Sequence, residues 1–278
     1  MFVMERAEKM SSAAEMLNMS GQEYLKAVQK GELARSAVRV NPTDTDDQKL
    51  VEELEKRYRG SGNSLKNVSD LFEAAFIDLV HRLKLLGENT EIRYSPYDDF
   101  RNGVDAVIVI KDSQGRVTLA VGLDVTFSKL DIDKKLGHIK FEIEKGTLAT
   151  IKYPGKGEKS VDHVPRCLIA LDLRTVEQLI RLWLYEEENS VKTIRSHHAF
   201  RKILTEITEE LRVFATESKS YQAKDGLSKA RKYFEKLMAE LPPSSEETEG
   251  NDRAFEALTF KLKNFKEVKT REPKHPVQ

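Results

Sequence analysis

Two aspartates stand in apolar runs that offer them no solvent. Residues 103–111 read GVDAVIVIK and residues 117–127 read VTLAVGLDVTF. In the first run, strand alternation places Val104, Ala106, Ile108 and Ile110 on one face and Asp105, Val107 and Val109 on the other, so both faces are apolar and the strand is expected to be central and buried. In the second, Thr118, Ala120, Gly122, Asp124 and Thr126 share a face opposite Val117, Leu119, Val121, Leu123 and Val125, and Asp124 is the only charge on its side. A carboxylate in such a place is costly unless it is paired, hydrogen-bonded or bound to a metal. If the strands are neighbours, both carboxylates converge at one edge of the sheet, and paired hard oxygens are what Mg²⁺ or Mn²⁺ prefers. An ion held there orients water, polarises a phosphodiester and stabilises the leaving oxygen. The competing reading puts both acids at strand ends, in water.

Other chemistries have less behind them. The one cysteine, Cys167, lies in the apolar run VPRCLIAL, which suits a core thiol and excludes an intrachain disulfide or a cysteine-rich zinc site. His197 and His198 are adjacent on a helical pattern and diverge, while His81 and His138 stand alone, so no histidine metal spacing is present. GKGEK at 155–159 lacks the spacing of a phosphate-binding loop, and Asp98 and Asp99 in SPYDDF read as turn formers in a loop.

The elements that must position the two acids follow from periodicity. Leu65, Val68, Leu71, Phe72, Ala75, Phe76, Leu79, Val80 and Leu83 keep the spacing of an amphipathic helix that starts at Ser64 and stops near Gly87. TEIRYS at 90–95 reads as a strand, DSQGR at 112–116 as the turn joining the two acid-bearing strands, and 129–145 as a helix ending at Gly146. LATIKYP and VPRCLIALD follow as strands, then RTVEQLIRLWLYEEE as a helix. The order helix, three strands, helix, strands, helix specifies an α/β sandwich with a central mixed sheet flanked by helices. Around this core at 64–188 the chain divides into a small helical unit at 1–45, a charged helix and linker at 46–63, a helical extension at 189–241 and a largely disordered tail at 242–278, in which 254–265 has the pattern of a short amphipathic docking helix.

A helix carrying Glu73 in LFEAAF, a strand opening on Asp105 in NGVDAVIV and a strand closing on Asp124 in GLDVTF, followed by helix and strand, resembles the PD-(D/E)XK nuclease superfamily over residues 64–188. The resemblance implies a restriction-endonuclease-like fold and a metal-dependent nuclease hydrolysing phosphodiester bonds in DNA, with Asp105, Asp124 and Glu73 holding Mg²⁺ or Mn²⁺. Where that family has its lysine, two residues after the second acid, this chain has Thr126. A displaced lysine could come from Lys129, Lys134, Lys135 or Lys152. Lys135 is favoured because it lies one turn into the helix and flanks the sheet-facing Leu136. A nucleic-acid-binding or scaffold protein that keeps this fold without catalysis is the alternative.

The segment AAEMLNMSGQEYLKAVQKGELARSAVRV resembles, more weakly, an excisionase or MerR-type helix-turn-helix, two short helices ending at Gly31 before a β-hairpin, with 22–30 as the groove-entering helix. Its bases are only Lys26 and Lys30, and a protein-binding unit is the other reading. Because 46 basic and 46 acidic residues cancel, global charge gives no argument for nucleic acid, although a local basic face remains open. With no apolar leader and no membrane-length run, the expected location is cytoplasmic. The charged helices after residue 190 either fold back on the core or make a homodimer.

Overall fold

A computed structural model describes residues 11–58, 64–127, 129–155, 157–185, 190–243 and 252–272. The chain is α/β, with a four-stranded mixed sheet flanked by helices. Strands β1 (Thr90–Arg93), β2 (Ala106–Lys111) and β3 (Val117–Thr126) form an antiparallel meander; β6 (Arg166–Ala170) joins β3 in parallel, so the sheet order is β1-β2-β3-β6. A parallel neighbour requires a crossover, and helix α6 (Lys129–Lys145) begins it. The other two strands, β4 (Ala149–Ile151) and β5 (Val161–Val164), pair only with each other.

The two faces of the sheet enter two separate cores. Ala106, Ile108, Ile110, Val121, Leu123 and Val125 join the main core, while Val107, Val109 and Ala120 form a smaller one closed by Ile151 and Val164 of the β4–β5 pair. Val104 belongs to the smaller cluster and not with Ala106, because regular pairing starts only at Ala106 and alternation does not extend back through Asp105.

Helix α4 (Ser64–Leu83) packs its apolar stripe into the main core. Helix α2 (Gly21–Val38) crosses it without the expected break at Gly31. That glycine marks a close approach: a Cβ there would lie 3.0 Å from the Ala74 Cβ. No hairpin follows among the described residues; Arg39 makes one isolated bridge to Tyr94. Together with α1 (11–16), α2 contributes Ala13, Leu17, Tyr24 and Ala27 to the same core as α4, so residues 11–38 are not a separate unit. The proposed groove-entering helix uses its bases internally. Lys30 Nζ donates to the Trp183 carbonyl at 2.6 Å and stacks on that ring, and Lys26 lies over Tyr185. The charged helix is α3 (Thr45–Tyr58).

SPYDDF is a helix and not a loop. Ser95 caps α5 (Pro96–Asn102), and Asp98 is fully buried, its carboxylate accepting the N–H groups of Lys152 at 2.9 Å and Tyr153 at 3.1 Å and the Asn102 amide at 2.7 Å.

After α7 (Leu173–Leu184) and the short α8 (Ser190–Ser196), helix α9 (His198–Glu217) lies along the outer edge of β6, and α10 (Tyr221–Ala239) packs on α9. These helices complete the main core and are no appendage. Two buried glutamates make the edge contact: the Leu168 N–H donates to Glu210 Oε2 at 2.7 Å and the Ala170 N–H to Glu206 Oε2 at 3.2 Å. The sheet edge that would otherwise expose unpaired donors is thus sealed. The tail is ordered over 252–272. Asp252 is buried and caps α11 (Arg253–Lys263) while accepting from Thr175 Oγ1 at 2.6 Å, so the expectation of disorder fails where this polar anchor exists; residues 244–251 and 273–278 lie outside the described residues.

Candidate active site

The ladder between β2 and β3 ends with Ala106 opposite Leu123, and just before β2 Asp105 bonds to β3 on both sides of Asp124, through Leu123 and Val125. The two acids are therefore neighbours at the start of β2 and near the end of β3. Asp105 is held by its neighbours' backbone: its N–H donates to the Leu123 carbonyl at 2.9 Å, and its Oδ2 accepts the Val125 N–H at 2.8 Å. Asp124 is 7% exposed and Asp105 is half-buried.

Lys135 of α6 completes the group. Its ammonium donates to Asp124 Oδ1 and to the Val125 carbonyl, with 29% of the side chain exposed. It does so because Ile132, Leu136, Ile139 and Ile143 bury the apolar stripe of α6, which turns the flanking lysine toward the end of β3. Thr126, where the family's lysine would stand, is buried in the sheet. Of the other displaced candidates, Lys134 points to solvent, Lys152 pairs with Asp47 and lies over the Tyr97 ring, and the Lys129 side chain lies outside the described residues.

Glu73 comes from α4 into the same electrostatic neighbourhood, but its carboxylate is engaged: Arg35 Nη2 bonds Oε2 at 2.7 Å and Ser69 Oγ donates to Oε1 at 3.2 Å. Burial raises its pKa, Arg35 opposes, and Asp70 and Asp99 raise it further. Asp105 is pushed well above the ordinary aspartate range by burial and then by the charges of Glu73 and Asp124, against the pull of Lys135 and the Val125 N–H. Burial disfavours the Lys135 ammonium, yet Asp124, Asp105 and Glu73 outweigh it and hold the lysine protonated. Acids forced together beside one cation are the pattern of a site built to receive positive charge.

The donor set fits a hard divalent ion in part. Asp105 and Asp124 offer two carboxylates at one end of the sheet, while Glu73 is bound to Arg35 and Asp124 to Lys135. Among the described residues no three histidine, cysteine or carboxylate side chains are placed together as a ready metal site.

Several members of this neighbourhood were not anticipated. Asp99 is raised to about 7 by burial and by Asp105. Arg166 donates to Glu142 Oε1 at 2.7 Å and to the carbonyls of Asn102 and Gly103, and Glu142 is raised to about 7 by burial, with Arg166 opposing and Asp124 adding to the rise. Arg166 was visible in the sequence as a charge inside VPRCLIAL, the same anomaly that flagged the aspartates. Arg35 and Asp99 carried no such signal, since each lies in a segment of mixed polarity.

Cavities of about 740 Å³ beside β1 and the 37–43 segment, and about 450 Å³ between α6 and α11, lie away from the acid pair. No family model, curated protein or solved structure matches the chain.

Proposed function

We propose that the chain is a metal-dependent nuclease hydrolysing phosphodiester bonds in nucleic acid, DNA first, on a restriction-endonuclease-like core. The observation that carries this reading is the meeting of Asp105, Asp124 and Lys135, from two strands and the crossover helix, at one partly open end of the sheet. The element order supports it as well: helix α4, an antiparallel meander, crossover α6 and the parallel strand β6 follow the order of the PD-(D/E)XK core.

Asp105 and Asp124 would hold Mg²⁺ or Mn²⁺, with Glu73 assisting once Arg35 releases it. The ion supplies, when bound, a polarised phosphodiester and a water of lowered pKa. Lys135 supplies what Thr126 cannot, a protonated amine beside Asp124 that offsets phosphate charge and positions the attacking water. Arg35 and Arg166 hold Glu73 and Glu142 and leave the end of β3 to Lys135.

A second reading has its own observation. Lys135 on Asp124 and Arg35 on Glu73 already neutralise the acids internally, which suits a nucleic-acid-binding or scaffold protein that keeps this core without catalysis. The two separate on labelled single- and double-stranded DNA and RNA incubated with Mg²⁺, Mn²⁺ or EDTA. Metal-dependent cleavage abolished by Asp105→Ala and by Asp124→Ala establishes the nuclease. Metal-independent binding without cleavage, unchanged in both variants, establishes the alternative.

A further inference from the structure

Helix α6 presents two functional faces. Lys135, His138 and Glu142, spaced i, i+3 and i+7, face the end of β3 and Arg166, as the Lys135–Asp124 and Glu142–Arg166 contacts fix. Gly137, Lys140 and Glu144, with the same spacing, carry the C-terminal segment. The Arg271 N–H donates to the Gly137 carbonyl at 3.0 Å. Lys140 Nζ donates to the carbonyls of Lys266 and Val268 at 2.7 and 2.8 Å, and Thr270 Oγ1 to Glu144 Oε2 at 3.1 Å. Phe265 anchors the segment on Phe214, ring centroids 5.4 Å apart. The strap lies so close that a Cβ on Gly137 would stand 2.6 Å from the Lys269 carbonyl oxygen.

This strap brings Arg271 beside Lys134 and His138 of α6: a Cβ on Gly137 would lie 3.0 Å from the Arg271 Cγ. His138 is half-buried, and burial together with the charges of Arg166, Lys134 and Arg271 holds its pKa below the ordinary histidine value. Lys134 and Arg271 are exposed and make no ion pair among the described residues. Most acids nearby have partners: Asp124 with Lys135, Glu142 with Arg166, Asp133 with Lys261 at 2.8 Å and Glu144 with Lys140 and Thr270, while Asp131 in the first turn of α6 and Glu272 beside Arg271 are exposed. Two exposed cations that no side chain among the described residues pairs with are open to an anion from outside. In a chain whose charges balance overall, such a local pair of cations is what an anionic polymer can engage.

We infer that Lys134, His138 and Arg271 form a phosphate-binding rim, held in place by the C-terminal strap, that grips the nucleic-acid backbone next to the Asp105–Asp124–Lys135 site. The inference rests on the nuclease reading for its choice of polymer, but it concerns binding and not cleavage. A neutral His138 offers one N–H to a phosphate oxygen, and the two exposed cations supply the charge that releases counterions.

The test is fluorescence anisotropy of labelled DNA and RNA oligonucleotides, single- and double-stranded, with the full chain in EDTA over a range of salt. Lys134→Ala, Arg271→Ala and the double variant remove exposed side chains and leave the strap's backbone bonds in place, and Arg271→Lys serves as the charge-conserving control. The expected result is a Kd raised several-fold by each alanine, a log Kd against log salt slope reduced by about one for each cation removed, and substantial recovery in Arg271→Lys. Equal affinity and equal slope in the wild type and the three alanine variants, or no binding by the wild type, would overturn the rim. Cleavage by a wild type whose binding the variants leave untouched refutes the rim and spares the nuclease. Binding lost in the variants of a protein that never cleaves refutes the nuclease and spares the rim.

Discussion

Replacing Asp105 by asparagine should make the protein more stable at neutral pH, and the reason separates a functional acid from a structural one. The folded chain raises the pKa of Asp105 through burial and the charges of Glu73 and Asp124. Above the pKa of an unfolded aspartate, about 3.9, the folded protein then binds more protons at this position than the unfolded chain does. Its contribution to stability therefore falls as pH rises, by at most about 1.4 kcal/mol per pH unit until the folded-state pKa is passed. Asparagine has no such slope. Its Oδ1 can keep the Val125 N–H bond, worth about 1 kcal/mol, and its uncharged amide removes the repulsion from Glu73 and Asp124. Against this stands the lost attraction to Lys135, which keeps Asp124. The variant should thus match the wild type at pH 4.5 within about 0.5 kcal/mol and exceed it by about 1–3 kcal/mol at pH 7.5. Urea unfolding followed by fluorescence of Trp183, the only tryptophan and fully buried, reads both numbers at constant m-value. An Asp105→Asn protein less stable than wild type at pH 7.5, or a difference that does not change with pH, would refute the reasoning and make Asp105 a structural carboxylate.

Other substitutions test the frame that holds the site. Glu210 is fully buried, its Oε1 has no hydrogen-bond partner among the described residues, and burial raises its pKa well above the usual range. By the same sign argument the wild type loses stability as pH rises above about 4.3, and Glu210→Gln should remove that loss while Glu210→Ala, which orphans the Leu168 N–H, should cost about 2–4 kcal/mol in denaturant titrations. Asp98→Ala removes the acceptor for the Lys152 and Tyr153 N–H groups and the Asn102 amide, and chemical denaturation should show a loss of about 3–5 kcal/mol. Gly137→Ala forces the strap off α6. It should cost about 1–3 kcal/mol and open residues 264–272 to limited proteolysis, whereas an unchanged digestion pattern would mean the strap accommodates the methyl group.

The acid-bearing strands were the most legible part of the chain, because a charge inside a continuous apolar run contradicts its surroundings and so announces itself. Asp105 and Asp124 were singled out this way, and the structure places them side by side at one end of the β2–β3 pair. Lys135 followed from helical phase: the residue beside Leu136 on a sheet-packed helix must flank the sheet. The same logic could have found Arg166, and also Glu206 and Glu210, which sit four apart in the apolar stripe of α9 and bind the edge of β6. What periodicity could not supply was long-range pairing. Gly31 reads locally as a helix stop, and only the Ala74 contact on α4 explains why the helix runs on. Asp98 reads as a turn residue until Lys152 and Tyr153, more than fifty positions away, bring it their N–H groups. Composition made the tail after Pro242 look disordered, yet one buried anchor, Asp252 on Thr175 and the Asp172 N–H, orders the helix that follows.

Single-turnover cleavage of a labelled DNA substrate in Mg²⁺ by wild type, Asp124→Asn, Lys135→Met and the double variant bears most directly on the claim that acids and displaced lysine act as one site. Groups that act as a unit lose activity non-additively. The expected result is a rate reduced at least about 100-fold by either single substitution, with the double variant no slower than the worse of the two. Cleavage untouched by Lys135→Met, or losses that simply multiply in the double variant, would contradict it.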